Sequence, residues 1–181
     1  MKLSTRLSGQ MFQFQSVKEV LAKANELKSG DILAGVAASS DLERIAAKEV
    51  LSRMFLSELR ENPVVPYEED EVTRIIQDSV DETVYSRIRN WTVGELREYI
   101  LSYETSEEDI RTLSRGLTSE MIAGVCKLMS NLDLVYSAGK VRVPAHCNTT
   151  IGLRGTLATR LQPNHSTDNI DGITASLFEG L

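Results

Sequence analysis

The sequence predicts an α/β chain of uneven make-up: a helical N-terminal region, then the opening strand and helix of a βα architecture. Three observations predict this. Capping signals recur ahead of apolar runs with three- and four-residue spacing between Ser16 and Gly139. From Lys140 to Pro163 that period disappears, and β-branched residues, glycines and Pro144 take over. Beyond Pro163 a helical face returns in Ile170, Ile173, Thr174 and Leu177, behind the cap candidates Ser166, Thr167 and Asp168. The chain as a whole is expected to be mainly α, with residues 1–140 forming a hairpin and helical region and 141–181 opening a second domain.

The elements follow in order. Leu3, Thr5 and Leu7 alternate ahead of Ser8-Gly9, and Met11, Phe12 and Phe14 follow it, which predicts a hairpin. Ser16 and Glu19 have capping-box spacing and open a helix through Val17, Val20, Leu21, Ala24 and Leu27 that should stop at Gly30. A second box, Ser40 with Glu43, opens a helix with Leu42, Ile45, Ala46, Val50, Leu51 and Met54 on one face. A short helix then ends near Pro63. After Pro66, the residues Val72, Ile75, Ile76, Val80, Val84 and Ile88 predict one long helix. Thr92 with Glu95 should cap the next helix, and Thr105 with Glu108 another. From Leu117, the positions of Met121, Ile122, Val125, Leu128 and Met129 predict a last long helix closing near Gly139, for about six helices in this region.

Composition narrows the function classes. The 181 residues are 41% hydrophobic and 25% charged with only 4 prolines, an ordinary globular balance that could bury a core without disulfides. A net charge of −6 and the lack of any lysine or arginine run argue against nucleic acid or an anionic membrane as partner. The start has no apolar core followed by a cleavage site, and no apolar stretch approaches the ~20 residues of a membrane span, so a cytoplasmic protein is expected. Cys126 and Cys147 fit a reducing compartment with free thiols.

Most chemical candidates have a plainer reading. The acidic run Glu68, Glu69, Asp70 and Glu71 reads as a solvated helix start that complements the helix dipole, rather than as a metal site with Asp78, Asp81 and Glu82. Cys126, Cys147, His146 and His165 match no zinc spacing and no nucleophile pair. Gly152 and Gly155 lack the Gly-Lys-Ser/Thr ending of a phosphate loop and read as turn or packing glycines. The triplets at Asn90, Asn148 and Asn164 carry no meaning without a secretory signal. No metal ligand and no catalytic residue is assigned.

One stretch is different. In "GTLATRLQPNHSTD", Gly155 to Asp168, a strand would put Arg160 and Gln162 on one face and Leu157, Thr159 and Leu161 on the other. Polar residues at the end of a strand, just before a βα loop, occupy the place where α/β barrels and open sheets hold ligands. A parallel strand also needs neighbours that this chain does not supply after Leu181, so the sequence is expected to be the first part of something longer.

Several stretches carry a resemblance: "VKEVLAKANELKSGDILAGVAASSDLERIAAKEVLS", "VTRIIQDSVDETVYSRIRNW", "GELREYILS", "GLTSE" and "NTTIGLRGTLATRLQPN". Together they resemble the large subunits of ethanolamine ammonia-lyase in matching order along nearly the whole chain. The resemblance implies that the strand around Leu157 to Gln162 is the first of a (β/α)8 TIM barrel. It implies a lyase that converts ethanolamine to acetaldehyde and ammonia by a radical path started by homolysis of the cobalt-carbon bond of adenosylcobalamin. Arg160 and Gln162 are then substrate-binding residues, whereas the contacts to the cofactor are expected mainly beyond residue 181. A small partner subunit and a hexameric set of large subunits are implied as well, in the cytoplasm or inside a bacterial microcompartment. On this reading the chain alone is inactive. The alternative is a non-catalytic helical interaction module, drawn from the many amphipathic helices and the incomplete catalytic set.

Overall fold

The computed structural model describes residues 3–141, 144–146, 150–153, 155–157, 161–163 and 169–180. They fall into two compact units, Met1–Val141 and Arg142–Leu181. Among the described residues the chain is mainly helical, as expected, with two two-stranded sheets and no closed barrel.

The first unit opens with the expected hairpin. Strands β1 (Ser4–Leu7) and β2 (Gln10–Gln13) pair antiparallel with Thr5 opposite Phe12. Ser8 (φ 50°) and Gly9 (φ 80°) both take left-handed backbone, the geometry that a tight two-residue turn between right-twisted strands requires. Phe12 and Phe14 are buried, and Thr5 Oγ1 donates to Glu49 Oε2 at 3.0 Å, which ties the hairpin to the helices.

Ten described helices follow in this unit. Helix α1 (Val17–Lys23) has the expected cap: Glu19 N–H donates to Ser16 Oγ at 3.1 Å, and Glu19 Oε2 accepts from Gln15 N–H at 2.7 Å. It ends at Lys23 rather than Gly30, and Gly30 lies inside the separate helix α2 (Ser29–Leu33). The helix closes in a tight last turn, with Asn25 N–H on Ala22 C=O at 3.2 Å, and the Asn25 side-chain amide beyond it bonds Asp31 and Lys127. Leu27, expected on the apolar face, is consequently exposed.

Helix α3 (Asp41–Arg53) starts at the expected Ser40 and buries Ala46, Ala47, Val50 and Leu51, while Ile45 stays half exposed. The short α4 (Leu56–Glu61) is held at its start by Phe55 N–H on Glu58 Oε2 at 2.9 Å. The expected long helix is two, α5 (Glu71–Asp78) and α6 (Glu82–Ile88). Asp81 breaks it by accepting from the N–H groups of Thr83 and Val84, starting a new helix where the hydrophobic period alone shows no interruption. Asp70 caps α5, so of the acidic run only Glu71 lies in the first turn.

The box of Thr92 and Glu95 caps α7 (Val93–Leu101) as expected. For α8 (Glu107–Ser114) the cap is Ser106 with Asp109, one residue beyond the expected Thr105 with Glu108, because Thr105 is buried. The final expected helix also divides, into α9 (Ser119–Leu128) and α10 (Asn131–Lys140), where Ser130 and Asp133 form a box of their own.

The core lies where α3, α4, α7 and α9 meet: Val50, Leu51, Leu56, Leu59, Val93, Leu96, Met121 and Val125 are all at most 3% exposed. Burying such side chains contributes about 1.5–3 kcal/mol each, as an upper estimate. Gly94 lets α7 approach α3, since a Cβ there would stand 2.9 Å from Ser52 O.

The second unit holds β3 (Ala145–His146), its antiparallel partner β4 (Thr150–Ile151), and α11 (Ile170–Gly180). The strand expected at residues 157–162 is not borne by its described members: Leu157, Leu161 and Gln162 have no strand structure, and residues 158–160 lie outside the described set. The physical reason is pairing: among the described residues no strand runs beside this segment to accept its ladder. Helix α11 forms as expected, but its described cap is Asn169, whose Oδ1 accepts from Gly172 N–H at 2.7 Å; Ser166, Thr167 and Asp168 lie outside the described residues.

Candidate functional site

The segment singled out by sequence lies in the second unit. In its opening hairpin, His146 Nδ1 is 2.9 Å from Thr150 Oγ1, directly across the ladder, so one nitrogen of this imidazole is already engaged. Gly152 (φ 85°) and Gly155 (φ 75°) adopt left-handed backbone around a turn in which Thr156 N–H donates to Leu153 C=O at 3.2 Å. Turn geometry accounts for these two glycines, as the sequence reading held.

Leu161 packs on the last turn of α11. A Cβ at Gly180 would lie 2.6 Å from Leu161 Cδ1 and 3.0 Å from its Cγ, so the Leu161 side chain rests against the glycine face of the helix. The adjacent Gln162 is exposed. Arg160, Cys147 and His165 lie outside the described residues.

The remaining candidates are dispersed in the first unit. Asp70 and Asp81 are used as caps, Tyr67 Oη donates to Asp78, and Glu82 pairs with Arg60 at 2.5 Å. The Arg60 guanidinium also lies 4.2 Å over the Tyr85 ring and donates to Gln77 Oε1 at 3.1 Å, joining α4, α5 and α6. This is a structural clamp, and hydrogen bonding to Glu82 holds the guanidinium above its ordinary pKa. Among the described residues no three His, Cys, Asp or Glu side chains gather as metal ligands, and Cys126 is a free, exposed thiol.

One feature escaped the sequence reading. Lys127 Nζ donates to Asn25 Oδ1 at 2.7 Å, and Asn25 Nδ2 donates to Asp31 Oδ2 at 2.9 Å, linking α9 to the end of α1 and to α2. Burial, then the neighbouring Lys28, lowers the Lys127 pKa. Lys127 and Asn25 are 102 residues apart, and no local spacing announces such a contact.

A family model described as ethanolamine ammonia lyase large subunit (EutB) matches residues 12–181. The chain belongs to that family. The ethanolamine ammonia-lyase large subunits of Salmonella typhimurium and Escherichia coli are each 58% identical to it over all 181 residues. The chain spans 40% of the length of these curated relatives. Family membership therefore covers the hairpin, the helices and the segment around Gln162, while more than half of each relative has no counterpart here. No described helix is long and apolar enough to cross a membrane.

Proposed function

We propose that this chain is the N-terminal part of an ethanolamine ammonia-lyase large subunit, and that Arg160 and Gln162 bind the substrate. The observation that supports the site assignment is the exposure of Gln162 next to Leu161, which packs on α11; a strand formed here would turn its alternate residues away from that helix. On this reading residues 157–162 pair as the first barrel strand only beside the further strands of a longer subunit.

The chemistry of the two side chains suits the substrate. Ethanolamine is a cation at neutral pH, so the permanently charged Arg160 is repelled by its ammonium group and donates to its hydroxyl oxygen instead. Gln162 accepts from the ammonium through Oε1 and donates to the hydroxyl through Nε2, fixing the orientation of a small molecule. The carboxylates that must oppose the ammonium come from the rest of the subunit. Radical chemistry belongs to adenosylcobalamin, held mainly by residues this chain does not include and by a small subunit. The chain alone is then inactive.

The test uses the full-length subunit assembled with its partner. Arg160→Ala and Gln162→Ala should each lower turnover by roughly ten- to a thousandfold, as the loss of one or two substrate hydrogen bonds implies, with cobalamin binding retained. Near-normal turnover in both variants refutes the assignment. The rival reading, a stand-alone helical module, predicts instead that the coding sequence stops directly after residue 181.

A further inference from the structure

A depression of about 750 Å³ lies in the first unit between the end of α1, α3, α9 and the start of α10. Lys28, Lys48 and Lys127 line it, against a single lining carboxylate, Glu26. This is a local reversal of charge in a chain whose net charge is −6. Glu26 is already shared: its carboxylate is 2.7 Å from Lys48 Nζ and 3.8 Å from Arg44 Nε. Among the described residues no carboxylate forms an ion pair with Lys28 or Lys127, and the nearest partner of Lys127 is the neutral amide of Asn25.

The Lys127 pKa is lowered in the same sense, by burial and then by the charge of Lys28, with a smaller push from Lys48; the carboxylate of Asp31, which shares Asn25 with Lys127, offsets only part of this. An anion in the depression would relieve that cost. The donors select the kind of anion. Lysines act as compact point charges that surround a tetrahedral phosphate, whereas a planar carboxylate is better matched by the fork of an arginine, and no arginine lines this wall. Ala123, Leu128 and Leu134 add apolar side chains to the same lining.

We infer that this depression binds the phosphate group of a small phosphate monoester, through Lys127 and Lys28 with Lys48 beside them and the organic body of the ester against these apolar side chains. The site is separate from the Arg160 and Gln162 segment, and it makes no use of the lyase reading.

The probes are inorganic phosphate and phenyl phosphate, titrated calorimetrically against the 181-residue chain. Saturable binding of both is expected, with phenyl phosphate the tighter. Lys127→Met should weaken it by roughly ten- to a hundredfold, the worth of one charge-assisted hydrogen bond, whereas Lys18→Met, an equal loss of charge elsewhere, should leave it unchanged. Absence of saturable binding, or equal loss in both variants, overturns the proposal. Should Lys127→Met fail to fold, the Lys127 amino resonance of the unsubstituted chain decides: its titration should move to higher pH when phosphate is added, and an unmoved titration overturns the site.

Discussion

At Gly116 a single methyl group separates a tolerated turn from a clash. The residue joins α8 to α9, and a Cβ there would stand 2.9 Å from the backbone nitrogen of Tyr85 and 2.8 Å from Val84 Cγ1. The first turn of α6 cannot retreat, because Asp81 N–H donates to Arg115 C=O at 2.8 Å on the same side. Gly116→Ala should therefore destabilise the chain by about 1–3 kcal/mol, read as a lower melting temperature; an unchanged Tm would show that the turn yields. Thr118, two residues on, makes the opposite case. It is 0% exposed and its Oγ1 has no hydrogen-bond partner among the described residues, while its own N–H reaches Met121 Sδ at 3.5 Å. An unsatisfied buried hydroxyl costs about 1–3 kcal/mol, so the isosteric Thr118→Val should hold or raise Tm, whereas a fall of several degrees would mean that the hydroxyl is satisfied after all.

Helix starts in this protein depend on carboxylates, and that gives the elements a common pH dependence. Glu95 accepts from Thr92 N–H, Asp109 from the hydroxyl and then the N–H of Ser106, and Asp133 from Ser130 N–H and then Arg97; each is held below the ordinary carboxylate pKa by these bonds in that order. A group whose folded pKa is depressed adds stability that is complete above its unfolded pKa, near 4, and lost as pH falls through the folded value. Tm should accordingly be level from about pH 7 to about pH 5 and fall below about pH 4. Glu95→Gln and Asp133→Asn should each lower the plateau and flatten the fall, and an unaltered acid limb in both would refute the caps as its source. The same caps mark where the sequence was legible. Ser16, Ser40 and Thr92 could be read because each precedes a fresh apolar run. Asp81 and Ser130 are passed over because the apolar period runs through them: Val80 and Val84 stand four residues apart on either side of Asp81, and Leu128 and Leu132 do the same around Ser130. The site divides likewise, since the parity of Arg160 and Gln162 is local, whereas the contact of Lys127 with Asn25 exists only once α9 has packed beside α1.

Over the whole molecule, burial is concentrated in the first unit. Its last helix, α10, is fastened to α7 by the pair Arg97–Asp133 at 2.7 Å and by Lys140 Nζ donating to Ile100 C=O at 3.3 Å, so the packed unit extends as far as its boundary at Val141. In the second unit α11 buries no residue, with Ile170 at 82% and Phe178 at 72% exposure. Exposed apolar side chains on a helix contribute little to holding it folded, and a segment with few buried contacts opens at low free energy. Brief digestion of the 181-residue chain should therefore cut first within residues 142–181 and leave a resistant core ending close to Val141. If α11 is a barrel helix that packs against later strands, extending the chain to the length of its relatives should protect the same residues, because Ile170, Leu177 and Phe178 would then be covered. Early cleavage inside α3, α7 or α9 would contradict the division of stability between the units. Equal protection of α11 in the short and extended chains would contradict its dependence on further strands, and with it the barrel reading of residues 157–180.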